Sequence, residues 1–96
     1  MRFNITRLCG GKALMASPPI SFDLDLDEAS RRLEGEFEIK KNDEGLMLIM
    51  AWKDIEVTLY PQGKIMFYPL SDKDLAVEYA TNILNKLTAR YRDDLP

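Results

Sequence analysis

The residues that could do chemistry in this sequence are few, and the largest group is a run of carboxylates. Asp23, Asp25, Asp27 and Glu28 stand close together before a helix-like segment. Carboxylate oxygens are the ligands that Mg²⁺ and Ca²⁺ prefer in proteins. The glycine and the distal glutamate of a calcium loop are missing at the required spacing, and acidic residues are favoured at helix N-termini by the helix dipole. The run therefore indicates helix capping rather than a metal site.

The other chemical candidates are a cysteine and a glycine pair. The chain has one cysteine, Cys9, and no histidine, so the commonest general base is absent. A cysteine without an activating base is weak evidence for a catalytic nucleophile. Residues 10–12 lack the full phosphate-loop motif and favour a turn. The sequence thus predicts a protein that is not an enzyme and that has no cofactor and no bound metal.

Length and charge restrict the classes of function further. The 96 residues are 46% hydrophobic and 30% charged, which is typical of a single globular domain over residues 1–96. The formal net charge is −3, whereas nucleic-acid affinity comes largely from Lys and Arg, so this balance disfavours a dedicated DNA- or RNA-binding protein. The longest apolar run, residues 46–52, is too short to span a membrane. One cysteine and no signal-peptide pattern favour the cytoplasm.

The first of two predicted helices follows Asp25, a suitable N-cap. Glu28, three residues later, would complete a capping box by bonding back to the N-cap N–H. Gly35 is expected to end this helix. Its inner stripe is Leu26, Ala29, Ser30 and Leu33.

The second predicted helix follows Ser71 as N-cap, with Asp74 at the third helical position. Leu70 would pack on Leu75 across the helix start. The last residues, 91–96, are expected to be a frayed tail. The apolar face of this helix is Ala76, Tyr79, Ala80, Ile83, Leu84, Leu87 and Tyr91.

The remaining segments favour strands, which short turns make antiparallel. The predicted strands are residues 2–9, 36–40, 45–52, 55–60 and 64–68, with a turn at 41–45. Residues 12–17 form either a short extra strand or an irregular connection. The predicted fold is α+β, an antiparallel β-sheet of about five strands with two helices on one face, in the order β-α-β-β-β-β-α. The helix-covered side would hold Phe3, Ile5, Phe37, Ile39, Val57, Leu59, Ile65 and Phe67.

The second side of this sheet is the most informative surface of the sequence, because no helix remains to cover it. Strand alternation places Thr58, Tyr60, Met66 and Tyr68 there. The middle strand adds either the pair Met50 and Trp52 or the pair Met47 and Ile49. Contiguous apolar patches of this kind mark interaction sites on small proteins.

The element order and four local segments resemble one half-repeat of the TATA-box-binding protein family. The segments are FNITRL (3–8), LDLDEASRRLEG (24–35), LMLIMAWKD (46–54) and LYPQGKIMFYPLSDKDLAVEYATNILNKL (59–87). The resemblance implies that Asn4 matches a groove-facing asparagine and that Tyr60 matches an intercalating phenylalanine. It also implies that Met66 and Tyr68 match a valine and a threonine that touch the minor groove.

Other positions depart from the family pattern. A second intercalating phenylalanine falls near Gly45, and one of two basic positions in the middle strand is Ala51, which leaves Lys53. Glu38 and Glu56 add negative charge around the same surface. Minor-groove binding needs apolar wedges and a positive surround, and half of both is missing.

We therefore expect a non-catalytic interaction module that uses the open sheet face or a sheet edge for self-association or protein binding. A homodimer is the specific form expected, because the family builds its working unit from two such halves. The binding residues would be Asn4, Thr58, Tyr60, Met66 and Tyr68. The alternative is a nucleic-acid-binding protein that stacks Tyr60, Tyr68 and a tryptophan on bases. A small-molecule site or an enzyme is the third hypothesis, and no membrane partner is expected.

Overall fold

Within residues 2–88, six strands form one antiparallel sheet in the order β1-β2-β6-β5-β4-β3. The computed structural model describes residues 2–88, and the predicted tail at 91–96 and Tyr91 lie outside the described residues. The strands are β1 (Asn4–Leu8), β2 (Ala13–Ser17), β3 (Glu38–Asn42), β4 (Leu48–Trp52), β5 (Ile55–Leu59) and β6 (Ile65–Tyr68). The helices are α1 (Leu26–Leu33) and α2 (Lys73–Leu87). The α+β class is confirmed.

The strand count was predicted as about five, and the sixth strand is the segment whose structure the sequence left open. Ala13–Ser17 forms β2, which pairs with β1 on one side and with β6 on the other. Leu14 and Ala16 are fully buried on the helix side, and β2 is an interior strand, second from the β1 edge. Counted from β2, the chain order is strand, helix, four strands and helix, with β1 added in front.

The boundaries of β3 differ from the predicted strand at 36–40. Phe37 donates its N–H to the carbonyl of Leu33 at 2.9 Å, so the backbone there continues the end of α1. The strand begins at Glu38 and has a register shift between Ile39 and Lys41. The following turn therefore starts two residues later than predicted.

One hydrophobic core lies between the helices and one face of the sheet. All eight residues predicted for the helix-covered side belong to this core or pack against it. Phe67 is fully buried, and its ring centroid lies 6.0 Å from that of Tyr79 on α2. Trp52 lies on the same side, 4.7 Å from Tyr79 and 4.8 Å from Phe37 between ring centroids. These aromatic contacts therefore pack α2 against the strands.

The start of α1 was predicted correctly, but only one half of its capping box forms. The Asp25 carboxylate accepts the N–H groups of Asp27 at 2.9 Å and Glu28 at 3.3 Å. Glu28 does not bond back to the N-cap, because its carboxylate accepts instead from Arg31 at 2.8 Å and Arg32 at 3.0 Å. These two hydrogen bonds lower the pKa of Glu28.

The start of α2 lies one residue later than predicted. The N-cap is Asp72 rather than Ser71, and its carboxylate accepts the N–H groups of Asp74 at 3.0 Å and Leu75 at 3.2 Å. A carboxylate at this position also interacts favourably with the positive end of the helix dipole, which a hydroxyl cannot do as strongly. Asp74 thus occupies the second helical position, not the third.

The segment before α1 is held against the turn between β5 and β6. Phe22 donates its N–H to the carbonyl of Gln62, and Leu24 donates to that of Pro61, each at 2.9 Å. Gly63 follows in the turn with a φ of 96° and lies under the Phe22 ring. The turn at 61–63 therefore also anchors the chain on its way into α1.

Candidate functional site

A row of side chains crosses all six strands on the sheet face opposite the helices. Direct strand partners in the register connect its members in the order Thr6, Met15, Met66, Thr58, Ile49 and Lys41. We call these six residues the central row. With about 4.8 Å between neighbouring strands, the central row is roughly 24 Å long. Of its four inner members, Met15, Met66 and Ile49 are partly exposed and Thr58 is buried.

The central row is closely packed although neither α1 nor α2 lies over it. Thr58 is only 3% exposed, because Met66 and Ile49 stand directly beside it on the neighbouring strands. Met15, Met66 and Ile49 are half-buried. β-Branched and unbranched apolar side chains at directly opposite positions interact in this way on one face of a sheet. The inner part of this face is therefore continuous and mainly apolar.

The two tyrosines lie at opposite ends of this face. Tyr60 follows β5 and lies two residues beyond Thr58, whereas Tyr68 lies two residues beyond Met66 in the opposite direction. Their α-carbons are therefore about 13 Å apart along the strands. Tyr68 is 42% exposed, and Tyr60 is half-buried. They flank the central row rather than form a single aromatic pair.

All five residues predicted for binding lie on the open face, but they do not form one cluster. Thr58 and Met66 are direct partners at its centre. Asn4 is exposed on β1, where its partner is Ser17, and β2 separates it from the rest of the group. Asn4 therefore lies at the margin of the surface.

The middle strand presents Ile49, and Met47 just before it, on the open face. Ile49 is the direct partner of Thr58, whereas Met50 is paired with the buried Val57. Of the two pairs that the sequence allowed, Met47 and Ile49 is thus the correct one. Trp52 packs among the rings beneath α2, so the expected stacking of a tryptophan on bases is wrong for this face.

Sequence reasoning missed Met15, a central member of the row. Its neighbours Leu14 and Ala16 are buried on the helix side, and Met15 is turned to the open face as a direct partner of Met66. The alternation of residues 13–17 was the available signal. It was too short to distinguish a strand from an irregular connection.

A shallow hollow adjoins the central row near the turn between β4 and β5. Ala51 lies between Glu56 and Glu38 in the register, and its small side chain leaves space between the two carboxylates. Tyr68 is the direct partner of Glu56 and forms one wall, with Lys40 on the other side. The volume of the hollow is about 800 Å³. Both acidic and basic side chains line the hollow, among them Glu38, Glu56, Lys40 and Lys53.

The chemically reactive groups do not converge on this surface. Within residues 2–88, no group of three or more His, Cys, Asp or Glu residues is placed to hold a metal ion. Cys9 is exposed in the turn between β1 and β2, with a φ of 53°. Glu36 is engaged by Lys86 of α2 on the far side of the sheet. Neither Cys9 nor Glu36 belongs to the central row.

Comparisons with protein-family models, with curated proteins and with solved structures found no match to this chain. In the part of the chain that the structure describes, neither helix is long and apolar enough to cross a membrane.

Proposed function

We propose that this chain is a non-catalytic interaction module that contacts another protein through its open sheet face. The observation that carries the proposal is the central row, whose four inner members form a mainly apolar stripe that neither helix covers. Protein interfaces use an apolar centre with a polar rim, and aromatic residues and methionine are enriched in them. Met15 and Met66 supply the centre, and Tyr60 and Tyr68 stand at the two flanks.

The charges near this face favour a protein over a nucleic acid. Glu38 and Glu56 are exposed on the open face and would repel phosphates. Lys40 and Lys41 lie at one end, on the edge strand β3, and Lys64 lies opposite Tyr60, just before β6. Nucleic-acid binding depends on many Lys and Arg contacts to phosphate, which this surface does not offer. The likeness to a TATA-box-binding half-repeat stays a prediction.

The proposal is tested by capture from extracts of the native cell with the tagged protein as bait. The double variant Tyr60→Ala/Tyr68→Ala should retain about one tenth or less of the proteins that the wild type retains, because interface aromatic residues often contribute 2 kcal/mol or more. Quantitative mass spectrometry of the retained proteins measures the loss.

The matched control is Lys73→Ala/Glu78→Ala, which alters two exposed residues of α2 on the other side of the molecule. This control should retain the same proteins as the wild type. Equal retention by the Tyr60/Tyr68 variant and the wild type would contradict the proposal. A retained pool of nucleic acid that is lost at high salt would instead favour the nucleic-acid hypothesis.

A further inference from the structure

The two edges of the sheet differ in how well they are protected against pairing with another chain. β3 carries a bulge between Ile39 and Lys41, and three of its residues, Glu38, Lys40 and Lys41, are charged and exposed. Bulges and edge lysines are the features by which native sheets prevent edge-to-edge association. The β3 edge is therefore blocked.

The β1 edge has neither feature of that protection. Its five residues pair with β2 in one uninterrupted register from Asn4 to Leu8. No strand among residues 2–88 pairs with its outer side. Arg7 is its single charged residue, and Thr6 is exposed at its centre. A regular edge strand with free N–H and C=O groups is a template for a further strand.

We infer that β1 pairs antiparallel with β1 of a second copy of this chain, with Thr6 on the twofold axis. This inference gives the proposed interaction module a defined partner, a second copy of the chain. It rests on the proposed function only in treating the open face, which the dimer would lengthen, as a contact surface. In this register Thr6 lies opposite the partner's Thr6, and Ile5 lies opposite the partner's Arg7. All five residues of each strand are paired, and no two like charges lie opposite one another.

Neighbouring registers are less favourable for physical reasons. A shift that places Arg7 on the axis brings two guanidinium groups into direct opposition, which is destabilising. A shift by one residue places Ile5 opposite the partner's Thr6. The helix-covered face of one copy would then continue into the open face of the other. In the register with Thr6 on the axis, the aliphatic stem of Arg7 can cover the half-buried Ile5 of the partner.

The consequence is one twelve-stranded sheet with the helices of both copies on the same side. The central row of each copy begins at Thr6, so the two rows meet at the axis and form one surface of about twice the length. Specific interfaces bury roughly 1,200–2,000 Å² in total, and a five-residue edge contributes only part of that. We therefore expect association in the micromolar range rather than an obligate dimer.

The test introduces charged residues at Thr6, on the axis. Sedimentation or light scattering at low ionic strength then measures the number of chains in the particle. The wild type should sediment as two chains at high micromolar concentration. Thr6→Lys alone and Thr6→Glu alone should each sediment as one chain, because like charges then oppose one another. An equimolar mixture of the two variants should sediment as two chains again, since opposite charges meet at the axis.

A matched control is Gln62→Lys, which adds the same charge in an exposed turn and should leave the association unchanged. Unchanged thermal unfolding of the Thr6 variants excludes misfolding as the cause. A wild type that sediments as one chain at every concentration would overturn the inference, as would Thr6→Lys that still sediments as two chains or a mixture of the two variants that stays as single chains.

The two proposals fail separately. Tyr60→Ala/Tyr68→Ala alters β5, β6 and their surroundings, which the edge pairing does not use, so this variant should still sediment as two chains. A single-chain wild type that still captures partner proteins would refute the edge pairing alone. A two-chain wild type whose captured proteins do not depend on Tyr60 and Tyr68 would refute the open-face proposal alone.

Discussion

Replacing Phe67 by alanine should lower the free energy of unfolding by about 3–5 kcal/mol. Phe67 is fully buried in β6, where its direct partners are Leu14 and Val57, and its ring lies against Tyr79. Removal of the ring loses its burial and leaves a cavity beneath α2. A domain of this size is stable by only about 5–15 kcal/mol, so much of the stability would be lost. Urea denaturation followed by circular dichroism measures the change.

The matched control is the preceding residue in the same strand, which points to the other face. Met66→Gln keeps a side chain of similar length on the open face and should cost about 1 kcal/mol or less. Similar losses for Phe67→Ala and Met66→Gln would contradict a core confined to one side of the sheet.

Replacing Gly63 by alanine should destabilise the protein by about 2–4 kcal/mol, by two additive effects. Its φ of 96° is a backbone conformation that alanine adopts only with strain. An added Cβ would also lie 2.7 Å from Cδ2 of Phe22 and 3.1 Å from Cγ of Pro18. The segment before α1 would have to move away from the turn, with loss of the backbone hydrogen bonds that hold it.

Gly45→Ala separates the two effects. Gly45 also has a positive φ, 78°, but an added Cβ there would meet nothing within 4 Å. This variant should therefore show only the backbone strain, about 1–2 kcal/mol. The denaturation midpoints of both variants, measured under the same conditions, give the comparison. If Gly63→Ala were no worse than Gly45→Ala, the close contact with Phe22 would not exist in solution.

Much of this fold could be predicted from local patterns. The alternation of residues 55–60 and 64–68 identified both faces of the β5–β6 hairpin, including the buried Val57 and Phe67. The helices were recognisable because apolar residues recur at helical spacing and carboxylates precede them. In these segments the local preference and the tertiary environment agree.

Other features depend on contacts that are distant in the sequence. β2 is a strand because β1 and β6 pair with both of its sides, and its five residues alone carry too little pattern to show this. The start of β3 is set by the hydrogen bond from Phe37 to Leu33 and not by its alternation. Glu28 has two arginines within reach on its own helix, and they compete successfully with the capping bond.

The membership of the surface was predictable in part, but its arrangement was not. Strand parity placed Thr58, Met66, Tyr60 and Tyr68 on the open face. Their separation into a packed centre and two distant flanks follows from the register, which the sequence does not specify residue by residue. Met15 lies at the centre of the open face only because β2 pairs with β6.

Peroxide oxidation of the methionines tests most directly whether the open face is a contact surface. Isotope-labelled protein is oxidised in buffer with serum albumin and in the same mass of native cell extract, and each peptide is quantified by mass spectrometry. In buffer, Met15 and Met66 should oxidise faster than Met50, which is fully buried beneath the helices. In the extract, Met66 should be oxidised more slowly than in buffer, while Met50 stays unchanged. Oxidation of Met66 at the same rate in both mixtures, or of Met50 as fast as Met66, would contradict the account.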